Sequence, residues 1–383
     1  MAFSPVPRQA RRAFILAGLG AALALAGCQT GQRRPLPGPG PVGPGPITPI
    51  ETKRNLVAVI VPLSGADGAV GRSIANAANL ALLDSGDRTI RLTIYDAAGP
   101  GGASAAANRA IAEGNKLFLG PLLAEGVRAA APVARRANVP IVAFSNDESV
   151  AGNGVYIMGF TPDQSIDRVV RHARAQGMAR FGVLVPTGLY GQRASQAMIE
   201  AVRDHGGRIT ALEQFNRSNN AVRAAALRLK AKGPFDAVLI ADAGRIAAIA
   251  APALPRAAKF LGTELWASDR TLGKTAALRG SWYAAAPNAR FNQLATRYRA
   301  RYGKSPYRLA SLGYDAVLLA VRSSRDWRVG RPFPARELID KEGFSGVDGN
   351  FRFGRDGIAE RLLEVRQVTA TGTTTVSPAG NAF

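Results

Sequence analysis

The sequence predicts an α/β protein made of two doubly wound, Rossmann-like lobes. Three observations carry this. Val- and Ile-rich apolar runs of strand length recur along the chain. Each is followed by a loop of small residues and then by a stretch with helical spacing, the pattern of parallel strands with crossover helices. The second half then repeats the units of the first, which points to two sheets.

The element that organises the rest is the run 55–63, ending Val61-Pro62-Leu63-Ser64-Gly65. It is nearly all apolar, so it reads as a strand buried on both faces within a parallel sheet. The loop 64–71 follows, then a helix over 72–84 with Ile74, Ala77, Ala78 and Ala81 on one side. Such a loop lies at the carboxyl end of a parallel strand, where open α/β sheets bind ligands. Residues 89–96 read as the next strand, ending at Asp96, and 104–114 as a helix. Residues 116–121 are a short strand, 125–138 a helix, and 139–144 a strand ending in Ser145-Asn146-Asp147-Glu148. A short strand over 156–160 leads to Thr161, a helix cap with Pro162 at the first helical position.

The second set opens with a strand over 180–185, the loop Pro186-Thr187-Gly188-Leu189-Tyr190-Gly191 and a helix to His205. Residues 208–215 form a strand, 219–232 a helix, and 235–240 a strand ending at Ala241-Asp242. Residues 265–269 read as another strand end and 281–287 as a strand. A helical region opens at Ala289 with Phe291, Leu294, Tyr298 and Tyr302 at helical spacing, a core stripe, and continues over 309–323. The end, 350–357 and 362–369, reads as strand, turn and strand. A small antiparallel finish suits a chain that crosses between two lobes more than once.

The N-terminus differs in kind. Arg8, Arg11 and Arg12 precede an apolar stretch, 13–26, too short to span a bilayer as a mature helix. It ends in Leu25-Ala26-Gly27-Cys28. This resembles a bacterial lipoprotein signal, which implies removal of residues 1–27 and lipid on Cys28; the arginine pair also resembles a twin-arginine export signal. Gln29 after the cysteine, in place of Asp, implies the outer membrane as the favoured anchor site. Cys28 is the one cysteine, so an intrachain disulfide is excluded. The stretch 28–54, rich in Pro and Gly, is a tether with almost nothing to bury. At about 3 Å per residue it reaches several tens of ångströms.

The formal net charge is +22, from 49 Lys and Arg against 27 Asp and Glu, and only eight of the cations are Lys. They are scattered through helices, which reads as solvated faces; the sharper alternative is attraction to an anionic surface or an acidic protein. An exported chain makes nucleic acid a poor partner. Catalysis is also poorly served. His172 and His205 are the only histidines, both on predicted helices, and there is no metal-binding spacing and no Gly-x-Ser-x-Gly elbow. Gly65, Gly68 and Gly71 are spaced unlike a dinucleotide fingerprint. We therefore expect a non-enzyme without cofactor or metal.

Residues 55 to about 368 resemble type I periplasmic binding proteins, in particular the leucine-binding-protein family. The matching stretches are Pro62-Leu63-Ser64-Gly65 with Gly71, Gly120-Pro121-Leu122, Val139-Pro140, Gly159-Phe160-Thr161-Pro162-Asp163, Tyr190-Gly191, Gly313-Tyr314-Asp315-Ala316, and Gly346, Gly349 and Asp356-Gly357. Residues 120–125 look most like the penicillin-binding-protein activator lipoproteins. The resemblance implies two lobes joined by a three-strand hinge: lobe one about 55–160 and 286–340, lobe two about 161–285 and 341–370, and a flexible tail over 371–383. It implies a small polar or amino-acid-like ligand between the lobes, delivered to an ABC importer; the alternative is a lipid-anchored regulator docking on a penicillin-binding protein. Both place the protein in the periplasm. The ligand-holding positions fall on Ser64, Ala124, Glu125, Ser145, Asn146, Tyr190 and Asp242. Ala124 lacks the hydroxyl a receptor uses there, a loss of about 1.5–3 kcal/mol for a hydrogen bond to a charged group.

Overall fold

The computed structural model describes residues 53–381 and 383. The export signal, Cys28 and all but the last two residues of the tether lie outside the described residues. Among the described residues no helix is long and apolar enough to cross a membrane.

Lobe one opens with β1 (Asn55–Val61), every residue of which is buried. Its full burial follows from its place between two parallel neighbours with helices on both faces. Then come α1 (Gly68–Ser85), β2 (Ile90–Asp96), α2 (Gly102–Ala112), β3 (Leu117–Leu119), α3 (Ala124–Arg136), β4 (Ile141–Ala143) and β5 (Val155–Ile157). The sheet is parallel in the order β2-β1-β3-β4-β5. Lobe two follows with α4 (Pro162–Ala175), β6 (Arg180–Pro186), α5 (Leu189–His205), β7 (Arg208–Phe215), α6 (Asn219–Ala231), β8 (Ala237–Ile240), α7 (Gly244–Ala250), β9 (Lys259–Gly262) and β10 (Trp282–Ala285). The chain returns to lobe one as α8 (Ala289–Tyr302), α9 (Ala310–Ser323) and a small antiparallel sheet of β11 (Phe344–Gly346), β12 (Gly349–Phe353) and β13 (Ala359–Arg361). It ends in lobe two with β14 (Glu364–Val368) and β15 (Thr373–Ser377), which extend that sheet to the order β15-β14-β10-β9-β8-β6-β7.

The two-lobed α/β architecture is the one expected, and the chain crosses three times: near Phe160, at Ala286 and at Leu362. Each sheet buries a cluster on either face. In lobe one, Ile74, Leu119 and Tyr298 lie on one side and Phe118, Val127 and Ile141 on the other. The aromatic stripe is core: Phe291, Leu294 and Tyr298 are buried and Tyr302 is partly so.

Several expectations are corrected. The loop after β1 is shorter than the sequence suggests, because α1 begins at Gly68 and takes Gly71 into its first turn. Likewise α5 begins at Leu189 and absorbs Tyr190 and Gly191. Both glycines are demanded by the same contact: a Cβ at Gly71 would lie 1.7 Å from the Pro62 carbonyl oxygen, and one at Gly191 would lie 1.6 Å from that of Pro186. Residues 265–269 are not a strand end. The strand stops at Gly262, and Glu264–Ser268 turns as a 3-10 helix. The turn folds Trp266 back over Gly262, fully buried, with its indole N–H donating to the Asp242 carbonyl at 3.0 Å. Residues 341–361 belong to lobe one rather than lobe two, since Phe344, Val347, Phe351 and Phe353 complete the lobe-one core. The stretch 371–383 is not wholly a loose tail: Thr373–Ser377 pairs with β14. Its residues are mostly exposed, so no hydrophobic pattern announced the strand.

Candidate functional site

The carboxyl ends of the lobe-one strands and the Glu264–Ser268 turn of lobe two enclose a cavity of about 410 Å³. Lobe one supplies Asp67, Val70, Leu122, Leu123, Phe144 and Asn146. Tyr307, Arg308 and Leu309, in the loop between α8 and α9, close one end. The crossings supply Phe160, Ala285 and Ala286, and lobe two Glu264, Leu265, Ala267 and Ser268. The wall is mainly apolar with a few polar groups set into it, as in small-molecule sites.

Glu264 is the acid of lobe two that faces the cavity. Its Oε2 accepts from the Ser165 hydroxyl at 2.5 Å and its Oε1 from the Tyr190 hydroxyl at 3.2 Å. Tyr190 is 3.0 Å from the Thr263 hydroxyl as well. Burial pushes the Glu264 carboxyl above the ordinary glutamate range. Burial and the neighbouring Glu264 push the Tyr190 phenol well above its usual value, so it remains a donor. Arg308 faces the cavity from lobe one, but its charge is already met: Nη1 lies 2.5 Å from Oδ1 of the fully buried Asp348 and donates to the Ser311 hydroxyl at 2.9 Å. Its guanidinium sits 4.3 Å from the Phe291 ring centroid.

The lobes are bridged beside the cavity. Asp147, in the loop after β4, is almost fully buried. It accepts from Arg128 of its own lobe at 2.8 Å and from Arg193 on α5 of the other lobe. Burial works to raise the Asp147 carboxyl, but the Ser149 hydrogen bonds and the Arg193 charge outweigh it and hold it below the usual range.

Arginines also hold the crossings. Arg361 donates to the Met158 carbonyl at 2.6 Å with its guanidinium 4.6 Å from the Phe160 ring. Arg366 donates to the Ala286 carbonyl and to Glu364. Beneath them Asp315 on α9 accepts the Val347 N–H at 2.7 Å and the Asp348 N–H at 3.2 Å.

Of the positions singled out in the sequence, Asn146 lines the cavity. Tyr190 stands behind Glu264 and orients it. Ser145 is buried, and its hydroxyl accepts the Asp147 N–H at 3.0 Å, so it shapes the loop and does not line the wall. Ser64 and Glu125 line a separate groove of about 380 Å³ on lobe one, and the Ser64 hydroxyl is 3.1 Å from Asp96. Ala124 opens α3 without lining the cavity. Asp242 does not reach the cavity either. It is buried against Arg217 at 2.7 Å and the Ala243 N–H. Glu264, Arg308, Asp67 and Arg193 were missed. Glu264 directly precedes 265–269, a stretch with the sequence look of a strand end, and nothing local separates Arg193 and Arg308 from the solvated arginines of a very basic chain. Among the described residues no group of His, Cys, Asp and Glu is placed to hold a metal ion.

The family described as "Periplasmic binding protein" matches residues 56–373. The fold is similar to that of a putative branched-chain amino acid ABC transporter protein from Rhodospirillum rubrum, with a TM-score of 0.72 and 20% identity over 84% of this chain and 100% of that one. It is similar to the leucine binding protein LivK of Thermotoga maritima, with a TM-score of 0.64 and 21% identity over 85% and 99%. A Rhodopseudomonas palustris solute binding protein, solved with 3,4-dihydroxybenzoic acid, gives a TM-score of 0.67 and 20% identity over 85% and 97%. In sequence, a Rickettsia prowazekii protein described as uncharacterized is 26% identical over 148 residues, 39% of this chain and 40% of that protein.

Proposed function

The chain belongs to the periplasmic binding protein family, and from that premise we propose that it is a non-catalytic receptor that holds one small amine-bearing, amino-acid-like molecule between its lobes. The observation that carries this is the cavity itself: about 410 Å³, bounded by both lobes, apolar in its walls, with Glu264 and Asn146 presented to its interior. The apolar wall takes a hydrocarbon body. Glu264, held in place by Ser165 and Tyr190, accepts from an ammonium group, and the Asn146 amide serves the rest of the polar end. Solved structures of similar fold were obtained with isoleucine, leucine, benzoate and 3,4-dihydroxybenzoic acid, which supports a ligand of this size. The role we assign is capture in the periplasm, with the protein held to the envelope by lipid on Cys28 and the captured molecule passed to an ABC importer.

The test is a thermal-unfolding screen of the purified chain against amino acids, simple amines and aromatic acids. A ligand present at one hundred times its dissociation constant stabilises by about 2.7 kcal/mol. A rise of a few degrees with one class supports the receptor reading, and no rise with any class overturns it. A second reading, docking on a penicillin-binding protein, draws support from residues 120–125, which resemble the penicillin-binding-protein activator lipoproteins. Recovery of such a synthase by cross-linking in cells, together with a flat screen, would favour it.

A further inference from the structure

We propose that the molecule held between the lobes carries a net positive charge: an amine without a carboxylate, or one with a second cationic group. This rests on the receptor reading and names its ligand class. The observation is a mismatch between the site and the rest of the chain. The protein carries 49 basic and 27 acidic residues, yet the cavity presents two carboxylates, Asp67 and Glu264, and a single cation, Arg308. Arg308 is not free to meet a ligand carboxylate. The Asp348 carboxylate at 2.5 Å and the Phe291 ring already hold it, and its side chain is 13% exposed.

Asp67 is in the opposite condition. It stands at the cap position of α1 and makes no side-chain capping bond. Among the described residues no salt bridge to its carboxylate is found, and no hydrogen bond that it accepts. The neighbouring groove shares Asp67, Leu122 and Leu123 with the cavity and adds Glu125, whose carboxylate is likewise without a partner among the described residues. Arg72, which donates to the Leu63 carbonyl, lines neither space. An anion entering this site meets uncompensated negative charge on two walls and, among the described residues that line it, no free cation. A cation meets Glu264 from lobe two and Asp67 from lobe one, and its charge favours the ionised form of Glu264.

Matched pairs of probes test this, because each pair keeps the hydrocarbon body and exchanges the polar end so that the net charge becomes more positive: L-leucine against L-leucinamide, and benzoate against benzylamine. Titration calorimetry on the full chain should show the cationic member of each pair binding at least about tenfold more tightly, about 1.4 kcal/mol, because it alone brings a net positive charge to the two carboxylates. The preference should shrink as salt is added. Asp67→Asn, a half-buried position with no partner to lose, should fold normally and reduce the preference about tenfold. Equal or tighter binding of leucine and benzoate overturns the charge assignment while leaving the receptor reading intact. An unchanged preference in Asp67→Asn removes Asp67 from it. Heat from none of the four probes, nor from a broader amine set, overturns the receptor reading and this inference with it.

Discussion

Asp147 of lobe one and Arg193 of lobe two form an ion pair across the mouth of the cleft, and Arg128 holds the same carboxylate from the Asp147 side. Arg193 can reach Asp147 only when the lobes are together, so the pair favours the closed arrangement. Partly exposed pairs are worth about 1 kcal/mol or less. Arg193→Met should therefore enlarge the radius of gyration of the ligand-free protein in small-angle scattering and weaken ligand binding a few-fold. Arg128→Met, a change confined to one lobe, should leave the radius unchanged. Equal behaviour of the two variants would refute a role in closure. Because the Asp147 carboxyl is held low, the bridge contributes throughout neutral and mildly acidic pH. It is lost only as pH falls through that lowered value, beneath the ordinary aspartate range.

Asp315, under the crossings, predicts the opposite pH trend. Burial first, and then the Asp348 charge, push its carboxyl up to about 7 against an ordinary 3.8, while the Arg361 charge opposes the rise. The folded protein thus keeps a proton that the unfolded chain has released. Stability from this group is greatest below the ordinary value, falls as pH rises toward about 7, and then levels. The slope is on the order of 1 kcal/mol per pH unit. Urea unfolding between pH 5 and 8 should show the loss in the wild type and a flatter profile in Asp315→Asn. The variant loses absolute stability as well, because the Val347 and Asp348 N–H groups bond to different oxygens and the amide has only one, so the slope is the readout. An identical slope in both proteins would remove Asp315 as its source.

Gly71 and Gly191 predict a matched pair of destabilisations. Each lets a helix start pass over the proline carbonyl that ends the preceding strand, and in both cases the obstructing atom is backbone. A methyl group there forces a shift of strand or helix, with a cost of about 1–3 kcal/mol or more. Gly71→Ala and Gly191→Ala should both lower the urea midpoint. Gly152→Ala, where the clash is absent but φ is 89°, should act through backbone strain alone. A neutral Gly71→Ala would contradict the close approach.

The strands were legible because burial on both faces leaves unbroken apolar runs such as Leu56 to Val61, and the small-residue loops that follow them, such as 64–71 and 186–191, recur along the chain. The site was less legible. Sequence position says which residues end strands, and Ser64, Ser145 and Asp242 do sit near strand ends; but hydrogen bonds to Asp96, Asp147 and Arg217 decide that those groups are occupied. Pairings such as Arg193 with Asp147, or Arg308 with Asp348, join residues distant in the chain, and nothing local separates those arginines from the many solvated ones. β15 was missed for a related reason: its exposed Thr residues join the sheet by backbone bonds that leave no apolar trace.

Glu264 and Asp242 are both acids of lobe two near strand ends, and their partners assign them different work. Glu264 faces the cavity. Asp242 is turned to Arg217, whose side chain is 47% exposed, and to the Ala243 N–H. Since burial raises the Glu264 carboxyl, its ionised form costs stability at neutral pH; Glu264→Gln, neutral and of the same shape, should leave the ligand-free melting temperature unchanged or raise it, because the Ser165 hydroxyl can turn to accept from the amide where a backbone N–H could not. It should abolish the stabilisation produced by an amine ligand, because the amide offers no charge to an ammonium group. Asp242→Asn should do the reverse. The melting temperature should drop by a few degrees, reflecting about 1 kcal/mol from the solvent-screened ion pair with Arg217. The increment on adding ligand should survive. Melting curves of the wild type and both variants, each with and without L-leucinamide, decide the assignment. Loss of the ligand increment in Asp242→Asn but not in Glu264→Gln would move the ammonium site to Asp242.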